Sequence, residues 1–198
     1  MKRFTMVFGT NGVGKTTLVK NILMSDQGVC PEEECLFDGL DYYEYNCDYG
    51  RYTLSKGGSY VAIGSYANKC GGADSIRDSF NYYAIIRLLA ERYPSSDLFV
   101  EGVMTHSVDK LCDLFDEFKS NGYEVTLVYL KSTLDKAVER VCGRNGKNPN
   151  VDTMRSKIES VENQFKTYVS KYKTLTIDVT EKTPEEVFDE FMKDFEEE

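Results

Sequence analysis

Short apolar runs alternate along the chain with longer stretches in which apolar residues return every three or four positions. The runs Phe4–Phe8, Glu34–Phe37, Leu98–Val100, Val125–Leu130 and Leu175–Val179 are largely continuous, the pattern of strands covered on both faces. Between them the helical period predicts helices at Lys15–Met24, Ser75–Tyr93, Val108–Ser120, Thr133–Cys142, Asp152–Tyr172 and Pro184–Phe195. Boundary chemistry agrees: Ser132 and Asp135 resemble a capping box, Asn121-Gly122 is a helix stop, and Thr183-Pro184 puts proline in a first turn. Alternating strands and helices predict an α/β chain, a parallel sheet between two helical layers.

One stretch departs from this alternation. Asp41 to Gly64 is rich in tyrosine, and Arg51–Ser55 and Ser59–Ile63 flank Lys56-Gly57-Gly58 as the arms of a β-hairpin flank a turn. It reads as a hairpin inserted after the second strand and a substrate arm spanning about 41–76. The alternative is that the tyrosines only cover a small extra sheet layer, since tyrosine suits half-buried strands.

The chemistry enters after the first run. Gly9-Thr10-Asn11-Gly12-Val13-Gly14-Lys15-Thr16 is a complete G-x-x-x-x-G-K-[ST] phosphate loop between a strand and a helix. Glycines let main-chain N–H groups curl round a polyphosphate, and the helix N-terminus adds its positive dipole end. The expected nucleotide contacts are Gly9, Asn11, Gly12, Val13, Gly14, Lys15, Thr16 and Thr17, with Lys15 reaching the β and γ phosphates of ATP and Thr16 ligating Mg²⁺.

Composition narrows the rest. A chain of 198 residues suits one compact domain. With 24 Lys and Arg against 33 Asp and Glu the net charge is −9, so a polyanionic partner must meet a local basic patch. The six cysteines contain no C-x-x-C pair and His106 is the sole histidine, so no zinc site is expected and the thiols read as packing residues. With no apolar run of membrane-spanning length and a triphosphate-type loop, the expectation is a cytoplasmic protein with reduced thiols.

A chain of this size, without an N-K-x-D segment and with arginines between the fourth and last strands, resembles the nucleoside and nucleotide kinases. The resemblance implies a three-layer P-loop kinase with a five-stranded parallel sheet of order 2-3-1-4-5. It also implies a small lid over about 140–151, whose Arg140 and Arg144 fold over the triphosphate. The bland alternative is two solvated arginines one helical turn apart. Glu101 ends the third strand at the sheet's carboxyl edge and is a candidate Mg²⁺-side ligand or general base, as is Asp38 at the end of the second strand for the base role. Gly71-Gly72, then Asp74 and Arg77, put close-approaching backbone and one charge of each sign at a helix start, facing the acceptor; the alternative is a tight turn with Asp74 as that helix's N-cap.

The loop Gly9–Thr16, the segment from Tyr60 through Gly64 and Tyr66 into Cys70-Gly71-Gly72-Ala73-Asp74, and Phe99-Val100-Glu101-Gly102 together resemble the bacteriophage 5-hydroxymethyluracil DNA kinases of thymine hypermodification. The resemblance covers roughly residues 1 to 160 and implies phosphorylation of a base hydroxymethyl group within DNA, in the host cytoplasm. Such a base must leave the stack, and Tyr42, Tyr43, Tyr60 and Tyr66 offer rings to receive it, with Arg51, Lys56, Lys69, Arg77 and Lys147 to hold phosphates. The net acidity speaks instead for a free nucleoside or nucleotide as acceptor. A third possibility, from another class, is a nucleotide-binding module without phosphoryl transfer.

Overall fold

The computed structural model describes residues 2–28, 41–67, 71–76, 78–102 and 107–196. Seven strands form one sheet: β1 (Lys2–Phe8), β2 (Tyr42–Cys47), β3 (Gly50–Ser55), β4 (Tyr60–Ile63), β5 (Asp97–Glu101), β6 (Tyr123–Lys131) and β7 (Lys173–Asp178), in the order β2-β3-β4-β5-β1-β6-β7. The pairs from β4 to β7 are parallel, whereas β2, β3 and β4 form an antiparallel meander. Among the described residues the α-helices are α1 (Lys15–Ser25), α2 (Ser79–Arg92), α3 (Val108–Ser120), α4 (Leu134–Asn145), α5 (Val151–Tyr168) and α6 (Pro184–Glu196).

The central strand shows why the runs are unbroken. Phe4, Met6 and Phe8 of β1 pack with α2, α3 and α5, while Val7 packs with α1 and α6 on the other face. Phe4 meets the Phe118 and Phe115 rings at centroid distances of 4.5 and 6.0 Å. Each such ring, fully buried, contributes about 1.5–3 kcal/mol of apolar transfer.

Five parallel strands in the expected order are present, but the second is β4. The position beside β5 expected for Glu34–Phe37 is taken by Tyr60–Ile63, and residues 34–37 lie outside the described residues. The hairpin is therefore not an appendage: its second arm is a strand of the main sheet, and β2 extends that sheet to the edge. β2 was not expected. Its buried positions are Tyr42, Glu44 and Tyr45, the two tyrosines in different core clusters, and with a carboxylate among them no period of two appears.

Helix limits shift where local chemistry differs from the simple pattern. The expected Ser75–Tyr93 helix is a 3₁₀ turn at Gly72–Ser75, an extended Ile76, and α2 starting at Ser79, because Asp78 caps it by accepting from the Asn81 N–H at 2.8 Å. The α2 cap is thus Asp78, not Asp74. At α4 the cap is Thr133, one residue later than the Ser132 expected. Thr183 and Glu186 form a reciprocal capping box around Pro184. Cys47 and Cys112, as expected, pack against the core.

Candidate active site

The first turn of α1 differs from those of the helices that follow. α2 to α5 each begin with a side chain accepting from their own amides, from Asp78, Ser107, Thr133 and Asn150, and α6 has its box; α1 starts at Gly14 with no side-chain cap. A helix N-terminus without a side-chain cap is the arrangement that receives external anions. Gly12 explains one fixed glycine: its φ is +84°, and a Cβ there would lie 2.7 Å from the Ala137 carbonyl oxygen of α4. The loop is folded tightly against the helix that carries Arg140.

Lys15 is buried, and its Nζ donates to the carbonyl oxygens of Gly9 at 2.9 Å and Thr10 at 3.0 Å, so the ammonium lies inside the loop's curl. The sheet register sets Glu101 opposite Val7, two residues before the loop begins. There its carboxylate, 1% exposed, accepts from the Thr16 hydroxyl at 2.8 Å. A hydroxyl and a carboxylate side by side are the hard oxygen donors that Mg²⁺ takes alongside substrate phosphates. No cluster of three or more His, Cys, Asp or Glu side chains that could hold a metal occurs among the described residues.

A cavity of about 460 Å³ opens over the loop, bounded by Asn11 to Leu18, Glu101, Arg140, Arg144, Val179, Lys182, Pro184 and Val187. That is the size of a nucleotide-class ligand site. Gly9 is not on its wall, while Asn11, Gly12, Val13, Gly14, Lys15, Thr16 and Thr17 are. The wall from the β7–α6 connection, Val179 and Lys182 to Val187, was not anticipated; its capping signature was legible but its place over the loop depends on the sheet order.

The two arginines separate. The Arg140 guanidinium donates to the Val179 carbonyl at 2.7 Å and reaches those of Thr180 and Lys182 at 3.3 and 3.5 Å, tying α4 to that connection. Arg144 is exposed at the cavity rim, its Nε on the Asn145 side chain at 3.2 Å. Of the segment 140–151 expected to form a lid, α4 takes the part up to Asn145 and Gly146–Asn150 connects it to α5.

In the segment expected to face the acceptor, Gly71 lies against Thr16 of the loop and Gly72 against Glu101. A Cβ on Gly72, whose φ is +73°, would meet the Glu101 carboxylate, and one on Gly71 would lie 3.0 Å from the Thr16 methyl. Asp74 contributes backbone to the 3₁₀ turn; Asp38, Lys69 and Arg77 lie outside the described residues. The stacking role expected of the tyrosines meets a correction. Tyr42 and Tyr66 are 1% and 0% exposed, with the Tyr42 hydroxyl donating to the Tyr66 carbonyl at 2.8 Å, so neither ring offers a face to a base. Burial, helped by Glu44 and Asp41, pushes the Tyr42 phenol up to about 12. Tyr60 packs edge-on to Phe99 and Phe195. Of the expected phosphate contacts, Arg51 and Lys147 are exposed and Lys56 is half-buried. The residue that was missed altogether is Glu44, a buried carboxylate beside this segment.

No protein-family model matches the chain. Among curated proteins it is 31% identical over 112 residues to the 5-hmdU DNA kinase of Bacillus phage SP10, a match over 56% of this chain and 15% of that protein's length. Among solved structures it superposes on the deoxyadenosine kinase from M. mycoides with a TM-score of 0.50 and 12% identity, over 98% of this chain and 100% of that one. For the tunicamycin resistance protein of Deinococcus radiodurans the TM-score is 0.54 at 15% identity, over 98% and 96%. The fold is the one shared with these two proteins. No described helix is long and apolar enough to cross a membrane.

Proposed function

We propose that the chain is an ATP-dependent phosphotransferase that passes the γ-phosphate to a hydroxyl, and that its acceptor is the hydroxymethyl group of 5-hydroxymethyluracil in phage DNA. The observation that carries the transferase part is the continuous anion cradle from Asn11 to Thr17, with Lys15 folded into it and Thr16 paired to Glu101. The partial identity to a 5-hmdU DNA kinase supports the acceptor.

In this mechanism the loop amides and the α1 N-terminus bind the β and γ phosphates, and Lys15 exchanges the Gly9 and Thr10 carbonyls for phosphate oxygens. Thr16 and Glu101 would hold Mg²⁺, which when bound would supply charge neutralisation toward the phosphates. The acceptor oxygen forms its bond to the γ phosphorus as the bond to the β–γ bridging oxygen breaks, and the hydroxyl proton passes to a carboxylate. With Glu101 engaged by Thr16, the base role falls to Asp38, with Asp74 near the acceptor. Arg140 holds the wall over the nucleotide in place, and Arg144 at the rim stands ready for the transferring group. The whole is one catalytic unit spanning residues 1–198.

A free nucleoside or nucleotide is the competing acceptor, favoured by the net charge of −9 and by the burial of Tyr42 and Tyr66. The test offers γ-labelled ATP and Mg²⁺ with duplex DNA containing 5-hydroxymethyluracil, and in parallel with free nucleosides and monophosphates. Label in the DNA is the expected result; label only in small acceptors moves the assignment to a metabolite kinase. Tight ATP binding with no acceptor-dependent transfer would make the chain a nucleotide-binding module.

A further inference from the structure

β2 carries a carboxylate on the buried face of the sheet, Glu44, 1% exposed. A buried carboxylate without partners costs several kcal/mol, so its surroundings should hold donors. They do, and all of those observed belong to one short segment. Glu44 Oε1 accepts from the backbone N–H of Tyr66 at 2.6 Å and of Ala67 at 2.8 Å, and the Ser65 hydroxyl lies 2.9 Å from both carboxylate oxygens. The same segment is held from two further directions: the Tyr42 hydroxyl donates to the Tyr66 carbonyl and the Thr53 hydroxyl to the Gly64 carbonyl, each at 2.8 Å.

The segment leads directly to the candidate site. Gly64 packs against the backbone of Gly72, and Gly71 sits so close to the Ser65 carbonyl that a Cβ there would lie 2.5 Å from its oxygen. Gly71 and Gly72 in turn touch Thr16 and Glu101. A chain of contacts without side-chain slack thus runs from Glu44 through Ser65–Ala67 to Gly71-Gly72 and the Thr16–Glu101 pair.

We infer that Glu44 is a positioning residue for phosphoryl transfer: its carboxylate fixes the Gly64–Ala67 segment and so sets the distance between the acceptor-side glycines and the phosphate loop. The inference rests on the kinase assignment above. Glu44 touches neither nucleotide nor acceptor; its effect is on where the acceptor sits, not on how ATP is held. The hydrogen-bonding shape of the group matters more than its charge, because a glutamine amide oxygen satisfies the same two N–H groups while its NH₂ donates to Ser65.

The test compares Glu44→Asp, which keeps the charge but withdraws the oxygens, with Glu44→Gln, which keeps the reach. For Glu44→Asp the acceptor KM should rise about ten-fold while the Mg·ATP dissociation constant stays within about two-fold, and exchange of the Tyr66 and Ala67 amides should quicken. Glu44→Gln should match wild type in all three. A Glu44→Asp protein with wild-type acceptor KM and amide protection overturns the inference, as does an equal loss of ATP affinity, or a Glu44→Gln defect as large as that of Glu44→Asp. A wild-type protein that transfers phosphate to no acceptor defeats the kinase assignment instead, and amide exchange alone then decides whether Glu44 anchors the segment.

Discussion

The phosphate-loop end of this molecule and the glycine-segment end beside it are assembled by opposite means. The phosphate loop is one run of residues whose groups converge on a single point, closed by a short-range pair of bonds from Lys15 to Gly9 and Thr10. The glycine-segment end is assembled from distant parts of the chain: Glu44 holds a hydroxyl 21 positions away and backbone N–H groups 22 and 23 positions away. A local device depends on few residues and tolerates change elsewhere. A distributed one depends on sheet register, so its sensitive positions include side chains that touch no substrate.

The largest effect is expected at the local end. Lys15→Ala should lower phosphoryl transfer by at least about 10²–10³-fold, because a fixed cation facing the transferred group is lost; steady-state kinetics with γ-labelled ATP measures it, with thermal unfolding to confirm a folded protein. Next comes the glycine that joins the two ends. Gly72→Ala adds a Cβ against the Glu101 carboxylate at φ +73°, whereas Gly122→Ala adds one in open space at φ +79°. Both should lose about 1–2 kcal/mol of stability from backbone strain, Gly72→Ala more than Gly122→Ala because of its clash with Glu101, and only Gly72→Ala should also slow transfer, by about ten-fold or more. Equal activity in the two variants would separate the acceptor segment from the Thr16–Glu101 pair.

A smaller contrast lies between the arginines. Arg140→Ala removes bonds to the β7–α6 connection and should lower stability by about 1–2 kcal/mol in denaturant unfolding, while Arg144→Ala should leave stability within about 0.5 kcal/mol. The smallest effect is far from both ends. Arg87 makes a two-pronged contact with Glu117 between α2 and α3, and those bonds hold the Glu117 carboxyl below its ordinary range. Both side chains are more than a third open to solvent, so Glu117→Gln should cost only about 0.5 kcal/mol at neutral pH. A folded-state pKa below the unfolded one gives stability that is present above the ordinary glutamate pKa and lost as pH falls through the folded value. The difference between wild type and Glu117→Gln should therefore vanish in acid.

The same division explains what was legible in the sequence. The loop, the continuous apolar runs and the helix stops are short-range patterns, and β1, β5, β6, β7 and most of the helices appear where they were expected. Glu101 was legible because a carboxylate closing a central strand is costly unless used. Glu44 was not: its donors are backbone N–H groups of a segment distant in sequence, which no residue type announces. Its presence on an inward position also concealed β2, and with it the fact that Tyr60–Ile63 belongs to the main sheet. The tyrosines looked like stacking rings because composition does not reveal that Tyr42 and Tyr66 face inward. Arg140 looked like a phosphate ligand because three carbonyls of a later connection were out of view.

The most direct measurement is a calorimetric titration of Mg·ATP into the folded protein and into Lys15→Ala. Saturable binding at one site per chain, strongly weakened in Lys15→Ala, is the expected result; no heat of binding to well-folded wild-type protein would contradict the assignment of the Gly9–Thr16 cradle as a triphosphate site.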